Sequence, residues 1–348
     1  MTDHLTGGLL GLHALTSLHP GSGTALGAVD LPVQRERHTH WPNIAGSALK
    51  GILRDACRAQ LARQSDDELN NMQRFDDKED DEAEVRAKRR DGSKNNRADA
   101  TVKLTTVFGP PSGQSSEFAG ALSVTDARLL AFPVRSLKGV FAWVTCRGVL
   151  ERLQRDAAVV GISFGQTIPD PAVNTAIVAA NSPCLIEGSQ LVLEEFQFSK
   201  AVGDPTEIAE WVARNLMPPR ESYKATCTRL PKHLIVLHDD DFTHFAKHAC
   251  EIVARVGLNY DTKTVKEGAL FYQEFLPAET LFYAVVIANA ARSRQGTAGA
   301  ADILKTLTGY LPSILQIGGD ETTGKGYCGT RLYAANGAAQ PSAGGQKS

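Results

Sequence analysis

The sequence predicts an α+β sheet domain of ferredoxin type with long insertions, and three observations carry that expectation. Strand-like segments are separated by single helices, with room for antiparallel returns between them. The composition, 42% hydrophobic and 22% charged over 348 residues, suits a globular chain with a sizeable core, as one elaborated domain or two. The chain lacks both a repeat of fixed period and the composition of a coiled coil or a disordered protein.

In order along the chain, Gly8 to Leu18 reads as a strand, followed by a loop rich in Gly, Pro and Ser. A helix opens at Gly46-Ser47, with Ser47 as the expected cap. Leu49, Ile52, Leu53 and Ala56 share one of its faces, with Lys50, Arg54 and Arg58 off it. Gly120 to Leu130 reads as one strand, VFAWVTC as a short β-rich run, and PKHLIVLHDDD as strand then turn. Asp241 is the expected N-cap of a helix over FTHFAKHACEIVARV. LFYAVVIANA reads as a buried strand, ADILKTLTGYL as a helix, and LQIGGDETTGKGYCGTRLY as strand, glycine loop and strand.

Two segments cannot contribute to a core. Residues 65–100 hold twelve acidic and eight basic residues and few large apolar ones, which predicts a mobile insertion. Residues 336–348 are a small-residue tail, expected to be disordered. Outside 65–100 the chain has 29 basic against 27 acidic residues, so polyanion binding has to be argued from local arrangements. Six widely spaced cysteines with no CxxC pair point to buried thiols in a reducing compartment. The longest apolar run, Leu281 to Ala291, is short for a membrane span, and MTDHLTGG lacks a signal-like core. The expected location is the cytoplasm.

Candidate chemistry is densest from His19 to Arg54. The open N–H groups of the helix start, with Ser47, Lys50 and Arg54, form a ready anion site. The same pattern fits an ordinary capped helix with basic residues on its wet face. Asp30 is the lone carboxylate of its loop, suited to hold a divalent metal or orient a 2′-hydroxyl, though a lone aspartate of this kind more often forms an Asx turn. Gly318 to Gly326 nearly spells a P-loop, but Gly326 supplies no hydroxyl for magnesium and a strand follows in place of a helix. A glycine loop that lets backbone approach a phosphodiester survives that objection. His244 and His248 share a helical face without the glutamate of a zinc motif and read as structural. Met217 to Lys232 carries Arg220, Lys224, Arg229 and Lys232 around Tyr223, and reads either as a projecting hairpin that touches nucleic acid or as a solvated loop.

Four segments in order resemble one family: GSGTALGAVDLPVQRERHTHWPNIAGSALKGILR, GALSVTDARLLAFPVRSLKGVFAWVTC, ALFYQEFLPAETLFY and LQIGGDETTGKGYCGTRL. They are similar to the backbone RAMP subunits, Cas-seven-like, of type III-B CRISPR effectors (the fourth Cmr subunit). The resemblance spans nearly the whole chain apart from the charged insertion and the tail. It implies a single RRM-like domain over residues 1–335 with palm, fingers and a thumb hairpin, placed here near residues 217–232.

The partners it implies are a CRISPR RNA, a target single-stranded RNA, other Cmr subunits and further copies stacked in a helical filament, with no membrane. The catalytic aspartate of the family transfers to Asp30, with His19 and the Tyr272 to Phe275 run as weaker supporting groups. Asp30 is also the residue expected to hold the metal, magnesium or manganese. The RNA-binding positions are Arg35, Arg37, Gly46, Ser47, Lys50, Arg54, Gly318, Gly319, Gly324, Lys325 and Gly326. The implied activity is endoribonuclease cleavage of guide-paired target RNA at regular intervals in antiviral defence. The alternative is a guide-binding subunit without cleavage of its own.

Overall fold

The structure, a computed structural model, describes residues 4–24, 28–64, 104–110, 118–292 and 298–335. The expected charged insertion (65–100) and tail (336–348) lie outside the described residues. A ferredoxin-type core is built from β1 (Gly7–Ala14), helix α1 (Gly46–Gln64), β4 (Ala127–Arg135), β12 (Leu281–Ala288), helix α7 (Ala300–Tyr310) and β14 (Tyr327–Ala334). Spatially these strands run β14-β1-β12-β4, with every neighbouring pair antiparallel. Short strands decorate this core: β2 (Asn43–Ile44) on β4, β3 (Leu122–Val124) on β12, and β13 (Ile314–Gln316) on β14. A short helix, α2 (Leu104–Phe108), packs on α1.

The rest of the chain is inserted between β4 and β12. It contains β5 (Phe141–Cys146), α3 (Arg147–Val159), β6 (Thr175–Val178), β7 (Gln190–Leu193), β8 (Phe196–Lys200), α4 (Thr206–Asn215), α5 (Lys224–His233), β9 (Leu234–Leu237) and α6 (Asp239–His248). Its strands extend the same sheet in the order β4-β5-β9-β6-β8-β7. The interior is lined by Phe132, Trp143, Phe242, Phe245, Phe282 and Tyr283, all fully buried. Burying an aromatic of this size contributes about 2–3 kcal/mol each, so the core sheet is a rigid base for the loops at its edge. One buried carboxylate ties the layers together. Asp156 on α3 pairs with Arg128 on β4 and accepts the Tyr283 hydroxyl on β12 at 3.0 Å.

Two strands stand apart from that sheet. β10 (Glu251–Leu258) and β11 (Val265–Phe275) form an antiparallel hairpin whose outer half is exposed on both faces, including Leu258, Tyr260, Val265 and Leu270. Exposed apolar side chains on an unpartnered ribbon mark a contact surface.

Four local expectations are corrected. The segment Met217 to Lys232 is not a hairpin. A 3₁₀ turn at Glu221–Tyr223 leads into α5, which packs on α4 with Tyr223 and Leu230 buried. The one Pro inside that helix, Pro231, sits in its last turn.

Helix α6 begins at Asp239, capped by His238, whose Nδ1 accepts the Asp240 N–H at 3.2 Å. Asp241 instead accepts the Asn174 amide at 2.9 Å. EIVARV is strand, as its β-branched alternation suits. The run from Gly120 is two strands, broken at Thr125-Asp126 so that Asp126 can reach helix α1.

Candidate nucleic-acid interface

Four residues at the end of β11, Tyr272 to Phe275, gather most of the expected site. The loop after β1 returns as a short run beside β11. Leu31 donates to the Tyr272 carbonyl at 3.1 Å and accepts from the Glu274 amide at 3.0 Å. This backbone docking puts Asp30 at the strand's edge, where its Oδ2 accepts the Tyr272 N–H at 2.7 Å. Asp30 is exposed, and its other oxygen has no partner among the described residues. One half of the carboxylate is therefore fixed and the other half faces solvent.

His19 is buried against the same strand, its ring tilted over Phe275 at 5.5 Å. Its Nδ1 lies 2.7 Å from the Glu274 carbonyl oxygen. A carbonyl only accepts, so Nδ1 carries the proton and Nε2 of the neutral ring is left as an acceptor. A Cβ at Gly21 would lie 2.9 Å from that Nε2, so a residue without a side chain keeps its approach clear.

The glycine loop between β13 and β14 closes over His19. Gly319 donates to the His19 carbonyl at 3.1 Å, and a Cβ at Gly318 would sit 2.3 Å from that oxygen. Gly318 has φ 83° and Gly326 has φ 82°, where a Cβ would meet the Ile317 carbonyl at 2.2 Å, so both positions need glycine. Gly318, Gly319 and Gly324 are exposed, and nothing lies within 4 Å of the Cβ position at Gly324. Lys325 places its ammonium 5.1 Å from the Phe275 ring centroid. Asp320 links the loop to the hairpin. Its Oδ2 accepts from Gln273 Nε2 at 2.6 Å and pairs with Arg255 of β10 at 3.3 Å.

The helix start is a separate surface. Gly46 packs against the β3–β4 corner, where a Cβ would meet the Val124 carbonyl at 2.6 Å. Its N–H donates to Asp126 Oδ1 at 2.7 Å, so that aspartate, not Ser47, satisfies the first open donor. Ser47 is exposed within the first turn. Lys50 and Arg54 are half-buried beside the inward face of Leu49, Leu53 and Cys57. Burial, with the Arg54 and Arg292 guanidiniums next, holds the Lys50 ammonium below the usual lysine range. An ammonium whose charge is disfavoured by burial and by two neighbouring guanidiniums suits a bound anion.

Arg35 and Arg37 diverge. Arg37 is exposed in the turn after the loop. Arg35 is turned inward, contrary to its expected role on RNA. Its guanidinium donates to the carbonyls of His40 at 2.9 Å and Ala246 at 2.8 Å, and to Glu274 Oε1 at 2.5 Å. A fork whose donors are already taken holds the loop to α6 and β11 and has little left for phosphate. Sequence reasoning missed Arg255, Asp320 and Arg292, and took Gln273 only as part of the Tyr272 to Phe275 run. Arg255 was hidden because EIVARV reads as the tail of a helix. The alternating β-branched residues around it are the signal that could have placed it on a strand.

A ferredoxin-type sheet that presents a glycine loop, a basic helix start and one loop carboxylate at the foot of a protruding hairpin defines a class of proteins with a surface built for phosphodiesters. The RAMP superfamily profile matches residues 12–328, and the chain belongs to that superfamily. It is 35% identical over 319 residues to the CRISPR system Cmr endoribonuclease Cmr4 of Pyrococcus furiosus, covering 92% of this chain and 93% of that protein. It also superposes on the crystal structure of oligomeric Cmr4 from the same organism with a TM-score of 0.64 at 28% identity, covering 94% of this chain and 98% of that one. A chain from the type III-B Cmr-beta complex bound to cognate target RNA shares the fold with a TM-score of 0.64 at 18% identity, covering 95% and 98% of the two chains.

Proposed function

We propose that this chain is the CRISPR RNA-binding backbone subunit of a type III-B Cmr effector complex and the endoribonuclease that cuts guide-paired target RNA. The observation that carries this reading is the convergence of Asp30, His19 and the glycine loop on Tyr272–Phe275, at the foot of the exposed hairpin. Similarity to the Pyrococcus furiosus endoribonuclease over 92% of the chain supports it. Its partners are CRISPR RNA, target single-stranded RNA, other Cmr subunits and further copies of itself. Among the described residues no helix is long and apolar enough to cross a membrane, and the cytoplasm is the proposed location.

RNA carries its own nucleophile, so the protein has to splay one nucleotide and align its 2′-hydroxyl with the leaving oxygen. The hairpin β10–β11 takes the role of the thumb that interrupts the duplex. In the reaction the 2′-oxygen bonds to phosphorus and the P–O5′ bond breaks, leaving a 2′,3′-cyclic phosphate and a 5′-hydroxyl. The free oxygen of Asp30, with Nε2 of His19 as the second acceptor in the cluster, takes the 2′-hydroxyl proton, and water returns one to the 5′-oxygen.

A divalent ion, magnesium or manganese, is the proposed cofactor. No group of three or more His, Cys, Asp or Glu among the described residues forms a cage for it. One open carboxylate oxygen on Asp30 fits an ion that takes its other ligands from RNA phosphates and water, the usual habit of magnesium. Such an ion would neutralise charge at the phosphate.

Guide binding is tested by the nucleic acid that the purified assembly carries. Small RNA of one defined length, destroyed by ribonuclease and not by deoxyribonuclease, is expected. An assembly free of RNA would contradict the reading.

A further inference from the structure

At the base of the hairpin two cations share one aromatic ring. Arg255 lays its guanidinium 5.4 Å from the centroid of Phe275, the ring that Lys325 approaches from the glycine loop at 5.1 Å. Among the described residues, no carboxylate pairs with Lys325, and Asp320 is the single carboxylate paired with Arg255. Asp320 also accepts a shorter bond, 2.6 Å, from the Gln273 amide, so its charge is shared. The Arg255 Nε–H is removed from solvent and finds no acceptor among the described residues. A buried guanidinium donor without a partner is costly, and a second cation over the same ring adds repulsion. Both costs fall if an anion enters.

The surroundings fit one class of anion. Gly318, Gly319 and Gly324 expose backbone beside Lys325, and the space at Gly324 is open. Phe275 is fully buried and cannot stack a base, so it orients the cations and leaves their outer edges for a phosphodiester. Asp30 is fixed at Tyr272 on the same strand, three residues away, or about 10 Å along β11. A single RNA strand crossing the foot of the hairpin meets both.

We propose that Arg255 is an RNA-phosphate contact that positions the strand for cleavage, and that Asp320 is the carboxylate that holds it when RNA is absent. This rests on the RNA-binding reading of the site and adds a residue outside the helix start and the glycine loop. Asp320 then acts as a stand-in anion: a phosphate displaces it, and the glycine loop and the hairpin are bridged by the strand in place of the ion pair.

The test is binding of a fluorescein-labelled oligouridine to the full chain, followed by anisotropy across a potassium chloride series. Arg255→Met should reduce the slope of log affinity against log salt by about 0.7, the value of one phosphate contact on a single strand. Arg255→Lys should keep most of it, because the charge remains. Asp320→Asn suits its backbone, since Asp320 sits at φ 65° and asparagine tolerates that region. It should tighten binding by up to about fivefold, the scale of one competing surface ion pair. That gain should vanish in the Arg255→Met background.

An unchanged slope in Arg255→Met overturns the proposal, as does a loss in Arg255→Lys equal to that in Arg255→Met, which marks a structural guanidinium. A gain from Asp320→Asn that persists without Arg255 is plain repulsion of RNA and also overturns it. In these cases wild-type binding remains and the reading of the whole site stands. A wild-type protein that binds no RNA overturns both.

Discussion

Arg35 and Glu274 meet at 2.5 Å, and the pair is the knot that fastens the Asp30 loop to the base of the hairpin. The guanidinium also holds the carbonyl of Ala246 near the C-terminus of α6. Glu274 in turn accepts the Val33 amide at 2.9 Å. Loop, helix and hairpin are thus joined by one ion pair that is mostly removed from water.

Removing one side of that pair leaves a buried charge unmatched. Arg35→Met should destabilise the fold by about 3 kcal/mol, the scale for breaking a buried pair, and should lower cleavage through a misplaced Asp30. Arg35→Lys should recover part of the stability only, since lysine lacks the fork. Thermal melting of the three proteins checks this. A melting temperature in Arg35→Met equal to wild type would show that the clamp is not structural.

A carboxylate in the polar run that follows the Asp30 loop gives a pH signature. Burial pushes the Glu36 carboxyl up, but the Thr39 hydroxyl and the Arg152 guanidinium outweigh it, with His38 adding to them, and its pKa lies below the ordinary 4.5. The unfolded chain therefore takes up its proton first as pH falls. The stability from this carboxylate is complete above the unfolded value and is lost as pH drops through the folded one. Melting followed from pH 7 to pH 3 should fall less steeply below about 4.5 in Glu36→Gln than in wild type. Parallel curves would contradict the assignment.

The helix start should act on RNA independently of the cleavage loop. Lys50→Ala and Arg54→Ala should each lower the salt slope of RNA binding by about 0.7. Cleavage of saturating target should change little. An unchanged slope would mean that the half-buried cations of α1 only pack against the core.

The core was legible because its signals are local. The apolar run at Leu281 to Ala288, the face Leu49, Leu53 and Cys57, and the strand–glycine–strand ending all carry their structure in their own spacing. The hairpin was not. β10 follows α6 with only Ala249 and Cys250 between them, so a helical reading runs on through EIVARV without a Pro or Gly to stop it. The projecting element is this hairpin and not Met217–Lys232, where Lys224, Arg229 and Lys232 belong to a packed helix. Asp30, His19 and the glycine loop were found as types, but their meeting at Tyr272–Phe275 depends on pairings between residues far apart in sequence, 242 for Asp30 with Tyr272 and 47 for Gln273 with Asp320. No local pattern encodes such a pairing. Arg35 shows the opposite error: a basic residue in a polar run looks like an RNA contact until its guanidinium is seen bonded to two backbone carbonyls and Glu274.

The central claim is that Asp30 serves chemistry and not affinity. A carboxylate offers a polyanion nothing attractive, and the Asp30 side chain is exposed with one oxygen uncommitted. Asp30→Asn keeps size and an acceptor for the Tyr272 amide while removing the charge. The decisive measurement is single-turnover cleavage of a labelled complementary RNA by assembled complexes carrying either residue, with target affinity measured in parallel. The account predicts a cleavage rate lower by about a hundredfold or more in Asp30→Asn, at every interval along the target, with guide loading and affinity unchanged. Cleavage at the wild-type rate by Asp30→Asn would contradict it.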